Sequence, residues 1–256
     1  MAEPPRLSLV VTCEHGGNEV PARYTSLFRG RSQKKLLASH RGYDPGALQL
    51  ARRIARAFGA PLLYCRVTRL VVEVNRSPHH RSLFSQITRR LPDEEKQAIL
   101  DRYYTPHRSQ VCQTVAEIVA RGCAALHVGV HSFTPVLDGI TRTADLGLLY
   151  DPARPPERDL CHRWGRALRR AAPALTVRMN YPYRGASDGL TTSLRRLFAP
   201  ERYLGVELEV NQRLLIRGHR WPPALERAVV ESLRQVMQAS RARPDIRSIC
   251  VGATPS

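Results

Sequence analysis

The sequence predicts an α/β fold in a single domain over residues 1–256, with a mostly parallel, twisted sheet and helices on both of its faces. Three observations carry that expectation. The first is Leu7 to Pro21, LSLVVTCEHGGNEVP, where an apolar run stops at Glu14 and His15 before two glycines. A run this apolar reads as a strand covered on both faces, as parallel sheets require. The second is SHRGYDPGALQLARRIARAFGAP followed by PLLYCRV. An amphipathic helix and a strand over Pro61 to Val67 complete a strand–helix–strand unit. The third is Ala124 to Pro135, AALHVGVHSFTP, which repeats the first pattern: an apolar run, then His131 and Ser132, then a turn.

Taken in order, the first strand delivers His15 at its carboxyl end, where open α/β sheets bind ligands. Gly16 and Gly17 let the backbone turn sharply there and approach a ligand closely. Val20 to Gly30 reads as a loop. Asp44 before Pro45 marks a helix start, with a capping side chain ahead of a proline in the first turn, and Leu48, Ala51, Ile54, Ala55 and Phe58 form a stripe that Gly59 ends. Asp44 is then either a cap or, lying over the sheet edge, a metal ligand. Leu70 to Val74 reads as a short strand flanked by Arg69, Asn75 and Arg76. Such a cluster implies an anionic ligand, unless the arginines are simply solvated on a loop.

Pro92 to Ala120 reads as mostly helical, Leu146 to Tyr150 as a strand preceded by Arg142 and Asp145, and Arg158 to Ala172 as a helix stopped by Pro173. Met179 to Leu190, MNYPYRGASDGL, is rich in turn formers and reads as a functional loop. Tyr203 to Val210 alternates, which puts Glu207 and Glu209 on one strand face. Pro222 to Ala239 closes the pattern as a helix.

Composition narrows the class. No Pro/Gly/Ser linker divides the 256 residues. The net charge is +18, but only Lys34, Lys35 and Lys96 are lysines, and the arginines are scattered rather than gathered into a tract. That distribution fits a field attracting small acidic substrates better than a nucleic-acid platform. No apolar run of about 18 residues and no charged-then-apolar leader at Met1 to Pro5 is present, so the expected location is the cytoplasm. The six cysteines (13, 65, 112, 123, 161, 250) lack CxxC spacing and read as reduced core residues. No G-x-S-x-G element supports a serine hydrolase.

Two histidines at strand ends, His15 and His131, can meet at one sheet edge and bind one metal, zinc first among the candidates. The motifs CEHGGNEVP, DPGA, TRLVVEVNR, GVHSFTP with Arg142, NYPYRGASDG and GVELEVNQ occur in this order from about Leu7 to Leu214. In that order they resemble the N-formylglutamate amidohydrolase family, whose fold is similar to that of zinc carboxypeptidases. The resemblance implies a zinc-dependent amidohydrolase that cleaves N-formyl-L-glutamate or another acidic N-acyl amino acid, with one metal per chain. It implies His15 and His131 as ligands, with Asp44 preferred over Glu19 and Asn18 as the third. It further implies Glu209 as general base, Arg69 as oxyanion stabiliser, and Asn75, Arg76 and Arg142 as holders of substrate carboxylates. The rival readings are another zinc deacylase or carboxypeptidase-like enzyme, and a non-catalytic carboxylate-binding module.

Overall fold

In the computed structural model, which describes residues 5–241, six strands pair into one sheet. In spatial order they are β2 (Leu62–Tyr64), β1 (Leu7–Cys13), β3 (Ala124–Phe133), β8 (Tyr203–Asn211), β6 (Leu146–Leu149) and β7 (Val177–Met179). Every neighbouring pair is parallel except β6 with β8, so β6 and β7 run against the other four. A separate two-stranded hairpin joins β4 (Val136–Leu137) to β5 (Ile140–Thr141).

Alternation along the central strands sorts the residues between two layers. On one face Val11, Leu126, Val128, Val206 and Leu208 pack against α2 (Ala47–Phe58), α5 (Pro155–Ala171) and α7 (Pro223–Arg241). The helical contribution comes from stripes such as Leu50 and Ile54, Leu160 and Trp164, and Val229 and Leu233. On the other face Val10, Ala125 and Tyr203 meet α4 (Thr105–Ala120) and α6 (Leu190–Leu197). The intervening positions of β3 on this second face are His127, Gly129 and His131, so the chemistry-bearing side chains share the layer with α4 and α6. A third apolar cluster, built from Tyr24, Phe28, Leu70, Val72, Ile99 and Tyr104, packs the long connections beside the sheet. It includes residues around α3 (Asp93–Ile99) and the π-helical turn Leu100–Tyr104 that leads into α4.

Several local expectations are corrected. Leu70 to Val74 is not a strand but a buried run of turns. Its backbone groups are satisfied locally, with Val71 N donating to Thr68 O, Glu73 N to Leu83 O, and Thr88 Oγ1 to Val71 O, so no sheet neighbour is needed. Asp44 is not a helix cap: α2 starts after Gly46, whose φ of 79° only glycine adopts freely, and no side chain caps it. The Val20–Gly30 stretch carries a 3-10 helix, Ala22–Phe28, and α1 (Arg31–Leu37) follows it. Gly16 and Gly17 pack closely against the backbone of the second strand's end: a Cβ on Gly17 would lie 2.7 Å from Arg66 O. The cysteines at 13, 65, 112, 123 and 161 are free; Cys250 and Met1–Pro4 lie outside the described residues. Among the described residues no helix is long and apolar enough to cross a membrane.

Candidate active site

The carboxyl ends of β1, β3 and β8 face a cleft of about 220 Å³ on the α4 and α6 side of the sheet. Its floor is set by register: His131 on β3 stands opposite Glu209 on β8, and His15 follows the end of β1. Asp44 reaches the same place from the turn before α2, which is anchored by Asp44 N donating to His15 O at 3.0 Å. Its Oδ2 lies 3.2 Å from His15 Nδ1 and 3.0 Å from His131 Nδ1, and the two imidazole rings are 5.0 Å apart. One ligand atom from each of His15, Asp44 and His131 falls within 4.8 Å of the others, a buried triad able to hold a metal ion.

The other two candidates for third ligand lie elsewhere. Glu19 forms an exposed ion pair with Arg66 at 2.5 Å, and Asn18 donates to Leu37 O.

The far side of each histidine meets a carboxylate that sequence reasoning did not single out. His15 Nε2 donates to Glu73 Oε1 at 2.5 Å, and His131 Nε2 lies 3.2 Å from Glu14 Oε2. Both glutamates are buried. The one signal in the sequence was a carboxylate inside an apolar run, TCEH and VVEVN, since a charge is rarely buried without a partner. Nothing local could name partners 58 residues apart.

Electrostatics follow from this packing. Burial alone would depress the pKa of His15, reinforced by the Arg69 charge, yet the charges of Glu73 and Asp44 raise it overall. Burial likewise works against protonated His131, and hydrogen bonds and charges from Asp44 and Glu14 push its pKa well up. For Asp44 and Glu73 the burial penalty is outweighed by neighbouring positive groups, chiefly His15 and Arg69 respectively, and both are held below the usual carboxylate range. The cluster therefore stabilises positive charge at its centre, which is what a cation site requires.

Glu209 behaves differently. It lines the cleft beside the triad, is 5% exposed, and its Oε2 is buried with no hydrogen-bond partner. Burial first, then the charges of Asp44 and Glu207, raise its pKa to about 7. Glu207 also lines the cleft, but its Oε1 accepts from Thr191 Oγ1 at 3.4 Å.

Of the remaining sequence candidates, Arg69, Asn75 and Arg76 line the cleft and Arg142 does not. Arg69 is pinned by Glu73 Oε2, with Nε at 2.7 Å and Nη2 at 2.5 Å, and its Nη1 lies 3.5 Å from Asp44 Oδ1. Asn75 Oδ1 accepts from Leu190 N at 2.8 Å, and Arg76 Nη1 donates to Asp188 O. These two bonds, with Ser77 N donating to Asp188 Oδ2, fasten the Met179–Leu190 loop over the cleft. Arg142 stands behind that loop: its guanidinium lies 5.7 Å from the Phe133 ring centroid and 5.0 Å from that of Tyr183, and Nη1 donates to the Tyr183 hydroxyl. The cation is held by aromatic faces, and both rings, Phe133 and Tyr183, line the cleft. Arg184, unremarked in the sequence, lines the cleft instead.

A cluster of histidines and carboxylates at the carboxyl edge of a mixed sheet, beside cleft-lining Arg69, Arg76 and Arg184, marks an α/β enzyme. The sequence profile of one family, N-formylglutamate amidohydrolase, matches residues 7–216. The chain belongs to that family and is a hydrolase of the amidohydrolase type. Among solved structures it is similar to a gene product of Agrobacterium tumefaciens, at 30% identity and a TM-score of 0.72, over 92% of this chain and 91% of that one. It shares its fold with the N-formylglutamate amidohydrolase of Ralstonia eutropha JMP134, at 20% identity and a TM-score of 0.70, over 93% and 96%. A search of curated proteins gave no match.

Proposed function

We propose that this protein is a cytoplasmic, zinc-dependent amidohydrolase that cleaves the amide of an N-acyl amino acid such as N-formyl-L-glutamate, releasing formate and the free amino acid. One observation beyond family membership supports this reading: a buried carboxylate with an unpartnered oxygen, Glu209, lies beside a His15–Asp44–His131 triad in a cleft lined with arginines. The residues fit the ion. Two imidazoles and one carboxylate are a common zinc set, and three protein ligands leave a coordination position open. When bound, the metal would supply Lewis-acid polarisation to the reacting groups.

The rest falls to the chain. Arg76 and Arg184, which both line the cleft, attract the substrate carboxylates, and arginine's planar fork suits them bidentately. Asn75 and Asp188 hold the Met179–Leu190 loop that forms this part of the cleft. Glu209 accepts a proton from the attacking water at its free oxygen and returns it to the departing amine nitrogen, so the amide and water become carboxylic acid and amine without a net proton change. Arg69, fixed by Glu73, presents positive charge where the carbonyl oxygen becomes negative. Arg142 contributes indirectly by holding Tyr183, which is 46% exposed at the cleft.

The test is formate and amino-acid release by zinc-loaded protein from N-formyl-L-glutamate and a panel of N-acyl amino acids. The expected result is hydrolysis that a chelator abolishes and zinc restores, with acidic substrates preferred. Failure to hydrolyse any N-acyl amino acid would overturn the reading, whereas preference for another acyl group would leave the chemistry and change the substrate.

A further inference from the structure

The two triad histidines are held from behind by different means. Glu14 reaches His131 Nε2 at 3.2 Å without an aligned hydrogen bond, and its Oε1 has no partner, with His107 Nε2 3.9 Å away. Glu73 is fully engaged. Oε1 takes His15 Nε2 at 2.5 Å and Asn75 N at 3.1 Å, while Oε2 takes both Nε and Nη2 of Arg69. Its own backbone is fixed at both ends, with Glu73 N donating to Leu83 O and Glu73 O accepting from Arg76 N. One buried carboxylate thus touches the first histidine, the cleft arginine and the segment carrying Asn75 and Arg76.

We propose that Glu73 is a positioning residue that sets the His15 tautomer and orients Arg69, tying the metal site to the substrate side of the cleft. The inference rests on the metal reading above. An imidazole coordinates through an unprotonated nitrogen, and the other nitrogen's hydrogen bond decides which one that is. With Nε2–H donated to Glu73, the lone pair on Nδ1 points to the place shared with Asp44 and His131. Orienting partners of this kind govern metal affinity on the order of 10- to 100-fold. The second oxygen does a separate job, because among the described residues no other carboxylate comes as close to the Arg69 guanidinium.

The direct test needs no substitution. In zinc-loaded wild-type protein with ¹⁵N-labelled imidazoles, His15 should coordinate through Nδ1 and show a retained Nε2–H; coordination through Nε2 would overturn the proposal. Zinc affinity, read by competition with a chromophoric chelator, should fall about 10- to 100-fold in Glu73→Gln. Gln offers one acceptor oxygen where Glu offers two, so it cannot hold both His15 Nε2–H and the Arg69 fork, and turnover should fall further than metal loss explains. Arg69→Gln should lower turnover while zinc affinity stays within a few-fold. If wild-type protein takes up no zinc, this proposal and the metal reading fall together. If wild type binds zinc and Glu73→Gln binds it equally, only the positioning role is lost.

Discussion

Strand β3 carries two buried histidines on one face, four residues apart, and their surroundings make them opposites. His127 sits between hydroxyls, with Nε2 2.8 Å from Thr12 Oγ1 and Nδ1 2.7 Å from Tyr203 OH. Burial lowers its pKa to about 4, so it is a neutral part of the core. His131, no more exposed in any useful sense, lies between Asp44 and Glu14 and is pushed the other way. The difference lies in what β1 offers each ring. Thr12, whose partner across the ladder is Gly129, reaches back to His127, while Glu14, two residues on, lies beside His131, so the core becomes a site within roughly 13 Å of strand. Burial does not make a histidine functional; the charge of its neighbours does.

The sharpest way to break this comparison is substitution of each histidine. His131→Ala should reduce hydrolysis to background and leave the fold intact, measured by formate release and far-UV circular dichroism. Activity near wild type would place the site elsewhere. Next in size, Glu209→Gln should keep zinc and substrate affinity but lower kcat by on the order of 10²-fold or more, with Glu207→Gln losing much less. Equal effects in the two variants would remove the distinction drawn from the free Glu209 oxygen.

For His127 the expected losses are in stability. His127→Ala leaves a cavity and two hydroxyls without their partner, at a cost of about 2 to 4 kcal/mol in urea unfolding, with kcat in the folded protein little changed. Its titration gives an effect of similar size, confined to low pH. The folded pKa of about 4 lies below the unfolded value of about 6.5, so the unfolded chain binds the proton more tightly. The stabilising contribution is complete above about pH 6.5 and is lost as pH falls toward 4, about 3 kcal/mol in total. His127→Gln should flatten that part of the stability curve relative to wild type. An unchanged slope would mean that His127 is not the neutral core group described.

Much of this was legible in the sequence because periodicity and burial are local properties. The apolar runs of β1, β3 and β8 and the stripes of α2, α5 and α7 fall where they were expected, and so do His15, His131 and Glu209 at the sheet edge. The failures have physical causes. Leu70–Val74 has strand composition but packs as turns, because side chains such as Ser85 and Thr88 satisfy its carbonyls. Of the two readings open for Asp44 only the cap falls: Gly46 opens α2 and leaves the carboxylate to the histidines. The seating of Arg142 on the rings of Phe133 and Tyr183 is likewise a tertiary feature with no local signal. Glu14 and Glu73 owe their importance to contacts across the fold, which no window of sequence contains.

The central claim is that His15, Asp44 and His131 form one metal centre, and the most direct measurement is metal content. Purified protein dialysed against limiting zinc and assayed by elemental analysis should hold one zinc per chain. His15→Ala and His131→Ala should each lose it, and His127→Gln, altered on the same strand four residues away, should retain it. Metal-free wild-type protein, or full occupancy in the His131→Ala variant, would contradict the account.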